Sequence, residues 1–138
     1  MNNKIAAICG WSVLPLGSAD VNNIIGSPTI SVTNIRKSYD FSVTNAELVE
    51  KQKERGGFVE VSLSAKVTES SLEMENKLIV AENLTCMIIL HYTDGSQKLV
   101  GSPASPVFML RKKSGKYAAT EVTVTSVQPE FAKYISQE

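Results

Sequence analysis

From Phe58 to Thr68 the chain reads FVEVSLSAKVT, with Val59, Val61, Leu63, Ala65 and Val67 alternating against Glu60, Ser62, Ser64, Lys66 and Thr68. A repeat of two sends the apolar set to one face and the polar set to the other, which predicts a half-buried antiparallel strand. Shorter runs of the same kind occupy Ile30–Ile35, Tyr39–Val43 and Thr120–Thr125. Thr85–Tyr92, TCMIILHY, is apolar at both parities and so predicts a central strand covered on each side. Asp94-Gly95 follows it, a hairpin signal because glycine accepts the positive φ that such turns need, and Gln97–Val100 reads as the return strand. Gly101-Ser-Pro-Ala-Ser-Pro106 then breaks the ladder, since proline has no N–H to give it. Val107–Leu110 resumes it, and Lys112–Lys116 forms the next turn.

Two segments depart from this alternation. Thr44–Arg55 opens with a capping-box match, Thr44 with Glu47, and closes on Gly56-Gly57. Its apolar positions are only Ala46, Leu48 and Val49, so residues 45–57 read as a short helix or a charged loop, weakly anchored when the protein is alone. Ser70 with Glu73 offers a second capping box, and Leu72, Met74, Leu78, Ile79 and Ala81 fit a helix of two to three turns, the reading adopted over a strand beginning at Leu78-Ile79-Val80. After Pro129, Phe131, Tyr134 and Ile135 also fall at helical spacing. Six or seven strands with one or two short helices predict a mainly β fold, an antiparallel β-sandwich or a half-open small barrel.

A length of 138 residues fits one domain with its own core. The N-terminus, residues 1–28, is expected to be an arm. Its Ile5–Leu16 run and Gly17-Ser18-Ala19 resemble a secretory signal, but Trp11 and Pro15 interrupt it, so an ordered arm or edge strand against a neighbour is the reading adopted. No other stretch approaches the length of a membrane span, and no membrane partner is expected.

Lys and Arg number 14 against 14 Asp and Glu, a net charge of zero that gives no mean attraction to nucleic acid. The basic group Arg111, Lys112, Lys113 and Lys116 reads as a solvated hairpin tip rather than a phosphate site. Cys9 and Cys86 are too few for a disulfide framework and lack metal-knuckle spacing; both are expected to be buried thiols. His91 is the only histidine, and its odd spacing from Cys86 on one strand sends the two to opposite faces, a poor nucleophile-base pair. No glycine-rich phosphate cradle and no nucleophile elbow occur. Asn83-Leu84-Thr85 matches the glycosylation sequon but precedes a buried strand. Neither a catalytic group, a cofactor nor a metal is expected.

One resemblance adds to this. Met87–Gly95, Lys98–Pro103, Pro106–Leu110, a lysine-glycine turn, Val122–Val124 and Pro129–Phe131 follow each other in an order that resembles tail-tube, tail-terminator and neck proteins of tailed phages and prophages. The resemblance covers Leu84–Glu138. It implies a non-enzymatic virion protein, made in the bacterial cytoplasm, that assembles with itself into a ring, commonly a hexamer, and stacks on other virion proteins. The charged segment and the arm are the expected inter-subunit surfaces, with Trp11, Leu48, Val49, Lys51, Lys53, Arg55, Gly56 and Gly57 as candidate contacts. The competing expectation is a secreted or soluble β-sandwich module that binds a small ligand or a glycan.

Overall fold

The computed structural model describes residues 7–23, 27–52, 57–67, 72–103, 105–113 and 120–135. The chain is mainly β, with a curled half-barrel sheet and a second sheet packed on it. In chain order the elements are β1 (Ile8–Pro15), β2 (Asp20–Asn23), β3 (Thr29–Thr33), β4 (Tyr39–Ser42), β5 (Thr44–Gln52), β6 (Val59–Val67), α1 (Leu72–Glu82), β7 (Cys86–Tyr92), β8 (Gln97–Val100), β9 (Leu110–Lys113), β10 (Thr120–Gln128) and β11 (Lys133–Ile135).

Seven strands form one sheet in the order β2-β3-β11-β8-β7-β1-β4, and four form the other in the order β5-β6-β10-β9. Among the described residues every strand pairing is antiparallel except β11 with β3. The strict alternation of β6 and β10 places Val61, Leu63, Val122 and Val124 inward, where they meet Trp11, Val13, Ile88 and Leu90 of the larger sheet in one continuous core. The two-sided apolar run of β7 is explained by the curl. Cys86, Ile88 and Leu90 enter that core, while Met87 and Ile89 enter a second cluster with Leu14, Leu99 and Ile30 on the sheet's other face.

α1 contributes Met74, Leu78 and Ala81 to the main core, a stripe with spacings of four and three that lies on one side of a helix. The Asp94-Gly95 hairpin is present between β7 and β8: Gly95 has φ of 89°, and Ser96 N–H donates to Asp94 Oδ1 at 2.9 Å.

Four expectations are corrected. Residues 8–15 and 20–23 are not an arm but sheet strands, and β1 sits between β4 and β7 with both edges paired. The described part of that apolar run, Ile8–Pro15, buries Trp11, Val13 and Leu14 on the two faces of the sheet.

Residues 44–52 are an extended strand, neither helix nor loop. The apparent capping box at Thr44 and Glu47 is instead a β-bulge, with Asn45 at φ 51°. The bulge follows the corner at Val43, where one buried residue carries the chain from the larger sheet to the smaller one. Pairing along the whole of β6 outweighs the modest helix propensity of a segment with so thin an apolar stripe.

In the third case, Val107 makes a single bridge to Cys86, and the ladder resumes only at Leu110–Lys113, so Lys112 and Lys113 belong to a strand and not to a turn. Lastly, Lys133–Ile135 is a strand filling the gap between β8 and β3, although Phe131, Tyr134 and Ile135 fall at helical spacing.

Candidate functional site

Sheet order leaves β5 at one edge of the smaller sheet and β9 at the other. Such an edge presents unpaired N–H and C=O groups, the template on which a further strand adds. β5 is nine residues long, and beyond its bulge Glu47 to Gln52 pair regularly with Ser64 to Val59. Leu48, opposite Leu63, turns inward and is half-buried. Val49 and Lys51 face outward, and Val49 remains 47% exposed. On β9, Arg111 turns inward and Leu110 outward at 63% exposure.

Cross-strand register sets the electrostatics of the outer face. Lys51 lies opposite Glu60, and Glu121 lies between Lys66 on one side and Lys112 on the other. Opposite charges so placed contribute up to about 1 kcal/mol per pair. Glu47 faces only Ser64, and among the described residues it makes no ion pair. The smaller sheet thus carries at one edge a carboxylate, Glu47, with no cation opposite it in register, and at the other a lysine, Lys112, which with Lys66 flanks Glu121 of the inner strand β10.

The residues singled out in the sequence separate here. Leu48, Val49 and Lys51 share the β5 edge strand, and Gly57 lies beside its end, accepting a 2.7 Å hydrogen bond from Gln52 Nε2. Lys53, Arg55 and Gly56 lie outside the described residues. Trp11 is corrected: at 1% exposure, inside the core on a central strand, it has no surface to offer a neighbour. Leu110 and Lys112 were not among the candidates: Val107–Leu110 is apolar at every position, and only burial distinguishes its inward Val107 and Met109 from its outward Phe108 and Leu110.

A second polar group lies on the outer face of the larger sheet. Ser12 Oγ donates to Asp40 Oδ1 at 2.6 Å and is 2.6 Å from His91 Nε2, while Gln97 Nε2 is 3.0 Å from His91 Nδ1. Ser12 has one proton and gives it to Asp40, so His91 Nε2 is the donor to Ser12 and Nδ1 accepts from Gln97. The chain of donors runs Gln97, His91, Ser12, Asp40 and ties β8, β7, β1 and the edge strand β4 together. Ser12 thus hydrogen-bonds at once to a carboxylate and an imidazole, and the four side chains cross-link four neighbouring strands of the larger sheet. Gly10 lies beside this group, and a Cβ there would meet the His91 ring at an ordinary 3.7 Å but crowd Phe41 O at 3.3 Å.

As the odd spacing requires, Cys86 faces the core while His91 faces away from it. Burial pushes the Cys86 thiol up to about 11. Cys9, expected buried, is exposed. Among the described residues there is no cluster of three or more His, Cys, Asp or Glu able to hold a metal ion, and no helix is long and apolar enough to cross a membrane. No family model, curated protein or solved structure matches the chain.

Proposed function

We propose that the chain is a non-enzymatic structural protein that assembles with itself through its sheet edges, as a ring or tube in the tail or neck of a tailed-phage virion. The observation that carries the reading is β5, a nine-residue edge strand with an exposed apolar residue near its centre and, among the described residues, no strand along its outer side. Proteins that remain monomeric shorten, cover or twist such edges away; here the bulge at Asn45 protects only one end. The ordered resemblance of residues 84–138 to tail and neck proteins supplies the virion setting, with synthesis in the bacterial cytoplasm and other virion proteins as stacking partners. Head-to-tail contacts of one kind close into rings, of which a hexamer is the form the resemblance implies.

Light scattering across a concentration series, with negative-stain images of the same samples, tests this. Rings, tubes or concentration-dependent oligomers are expected, and a strict monomer at high concentration overturns the proposal. One observation favours a second reading as a small-ligand module: an open cleft of about 350 Å³ bordered by Ser12, Asp40, Lys77 and His91. A monomer that binds a member of a glycan array would select it.

A further inference from the structure

Resting on the proposed self-assembly, we infer that the contact between copies is an antiparallel pairing of β5 with the β9 edge of the next copy, in the register that places Val49 opposite Leu110 and Glu47 opposite Lys112. The inference starts from strand direction. In the antiparallel order β5-β6-β10-β9, the two edge strands run in opposite directions. Two copies set side by side in the same orientation therefore meet β5 to β9 antiparallel, as the sheet itself alternates.

Parity and charge then restrict the register. Val49 and Leu110 both lie on the outer face, at 47% and 63% exposure, and a continuous sheet keeps them on the same face. Opposing these two residues covers both apolar groups. One step along each strand on the same face, Glu47 meets Lys112, so the carboxylate with no cation opposite it in its own sheet comes opposite one of the two lysines that flank Glu121 in register. Pairing β5 with another β5 would leave Leu110 and the β9 edge bare. The bulge at Asn45 sets the end of the pairable stretch at Glu47.

The test uses the full chain with Cys9→Ser, which removes the exposed native thiol. Val49→Cys with Leu110→Cys, treated with a short bis-maleimide or mild oxidant, should give a ladder of linked multimers on a non-reducing gel, and each single cysteine none. A dimer from Val49→Cys alone would mean β5 pairs with β5 and would overturn the inference. Particles in negative stain without a ladder would overturn this contact and leave the proposed self-assembly standing, whereas a monomer by light scattering would overturn both. In parallel, Glu47→Lys should raise the concentration for half-assembly about tenfold, and adding Lys112→Glu should restore most of it. Failure of the double variant to recover, with an unchanged circular dichroism spectrum and melting temperature, would overturn the register.

Discussion

Arg111 donates its Nε to Glu82 at 2.9 Å, and its second nitrogen reaches Glu75 at 2.8 Å, so one guanidinium ties β9 to α1 at two points about two helical turns apart. The Arg111 side chain is 17% exposed, which screens the pairs less than a surface bridge. Its truncation would remove the guanidinium that both carboxylates share. Arg111→Ala is expected to lower the unfolding free energy by about 2 kcal/mol, read from urea denaturation with an unchanged m-value. Arg111→Lys should recover less than half, because an ammonium cannot reach both carboxylates in the fork geometry. A loss within about 0.5 kcal/mol for the alanine variant would show the pairs to be solvent-screened.

The two thiols should differ sharply in reactivity. Cys9 is exposed on β1, whereas Cys86 is buried in the main core and its thiol is raised to about 11. The thiolate is the reactive form, and at mildly alkaline pH a thiol so raised supplies little of it. The folded protein is expected to titrate one thiol with an aromatic disulfide reagent at about pH 8, and two in denaturant. Rapid reaction of both under native conditions would mean that the strand carrying Cys86 opens readily.

How much of this architecture was legible in the chain depended on which force decided each segment. The alternation of β6 and β10 and the two-sided run of β7 were readable because burial acts on individual side chains, and the Asp94-Gly95 turn because backbone sterics act locally. β5 was misread because nothing in its own residues reports its partner. Glu47, Glu50 and Lys51 suit a helix, and only the extended strand β6 beside them makes an extended conformation the better one. β11 is the same case, three residues held in place by β8 and β3. The candidate contact was half visible: Val49 and Lys51 stood out by charge and thin apolarity, but Leu110 and Lys112 became its counterpart only through sheet order. The Ser12–His91 network could not be read at all, since Ser12, Asp40 and His91 are far apart in sequence and the register of three strands brings them together.

Asp94 gives a pH-dependent prediction. Its carboxyl is held below the ordinary value, first by the hydrogen bond from the Ser96 hydroxyl at 2.6 Å and then by the Ser96 N–H at 2.9 Å. A carboxylate lowered in the folded state adds stability above its unfolded value, about 3.9, and loses it as pH falls through the lower folded value. Asp94→Ala should therefore melt below the wild type near neutral pH, and the gap should close as the pH is taken to about 2. Melting curves at several pH values check this. A gap that stayed constant would trace the effect to the turn's backbone rather than to the ionised carboxylate.

Gly101 joins two constraints that can be separated by experiment. It has φ of 88°, and a Cβ added there would stand 3.2 Å from Val107 Cγ1, a core side chain whose backbone bridges Cys86. The loop leaves little room to yield, since Ser102 and Ser105 exchange two backbone hydrogen bonds at 3.1 Å immediately after it. Gly17 offers the comparison, with φ of 83° and nothing within 4 Å of a Cβ. Gly17→Ala should cost about 1 kcal/mol, the expense of a left-handed non-glycine residue alone. Gly101→Ala should cost about 2 kcal/mol or more, because the displaced Val107 disturbs the core as well. Combining Gly101→Ala with Val107→Ala then removes the crowding methyl, so the double variant should be more stable than the sum of the two single losses predicts. A cycle that proved additive would place the whole cost of Gly101→Ala in the backbone, and would mean that the Val107 side chain moves aside freely.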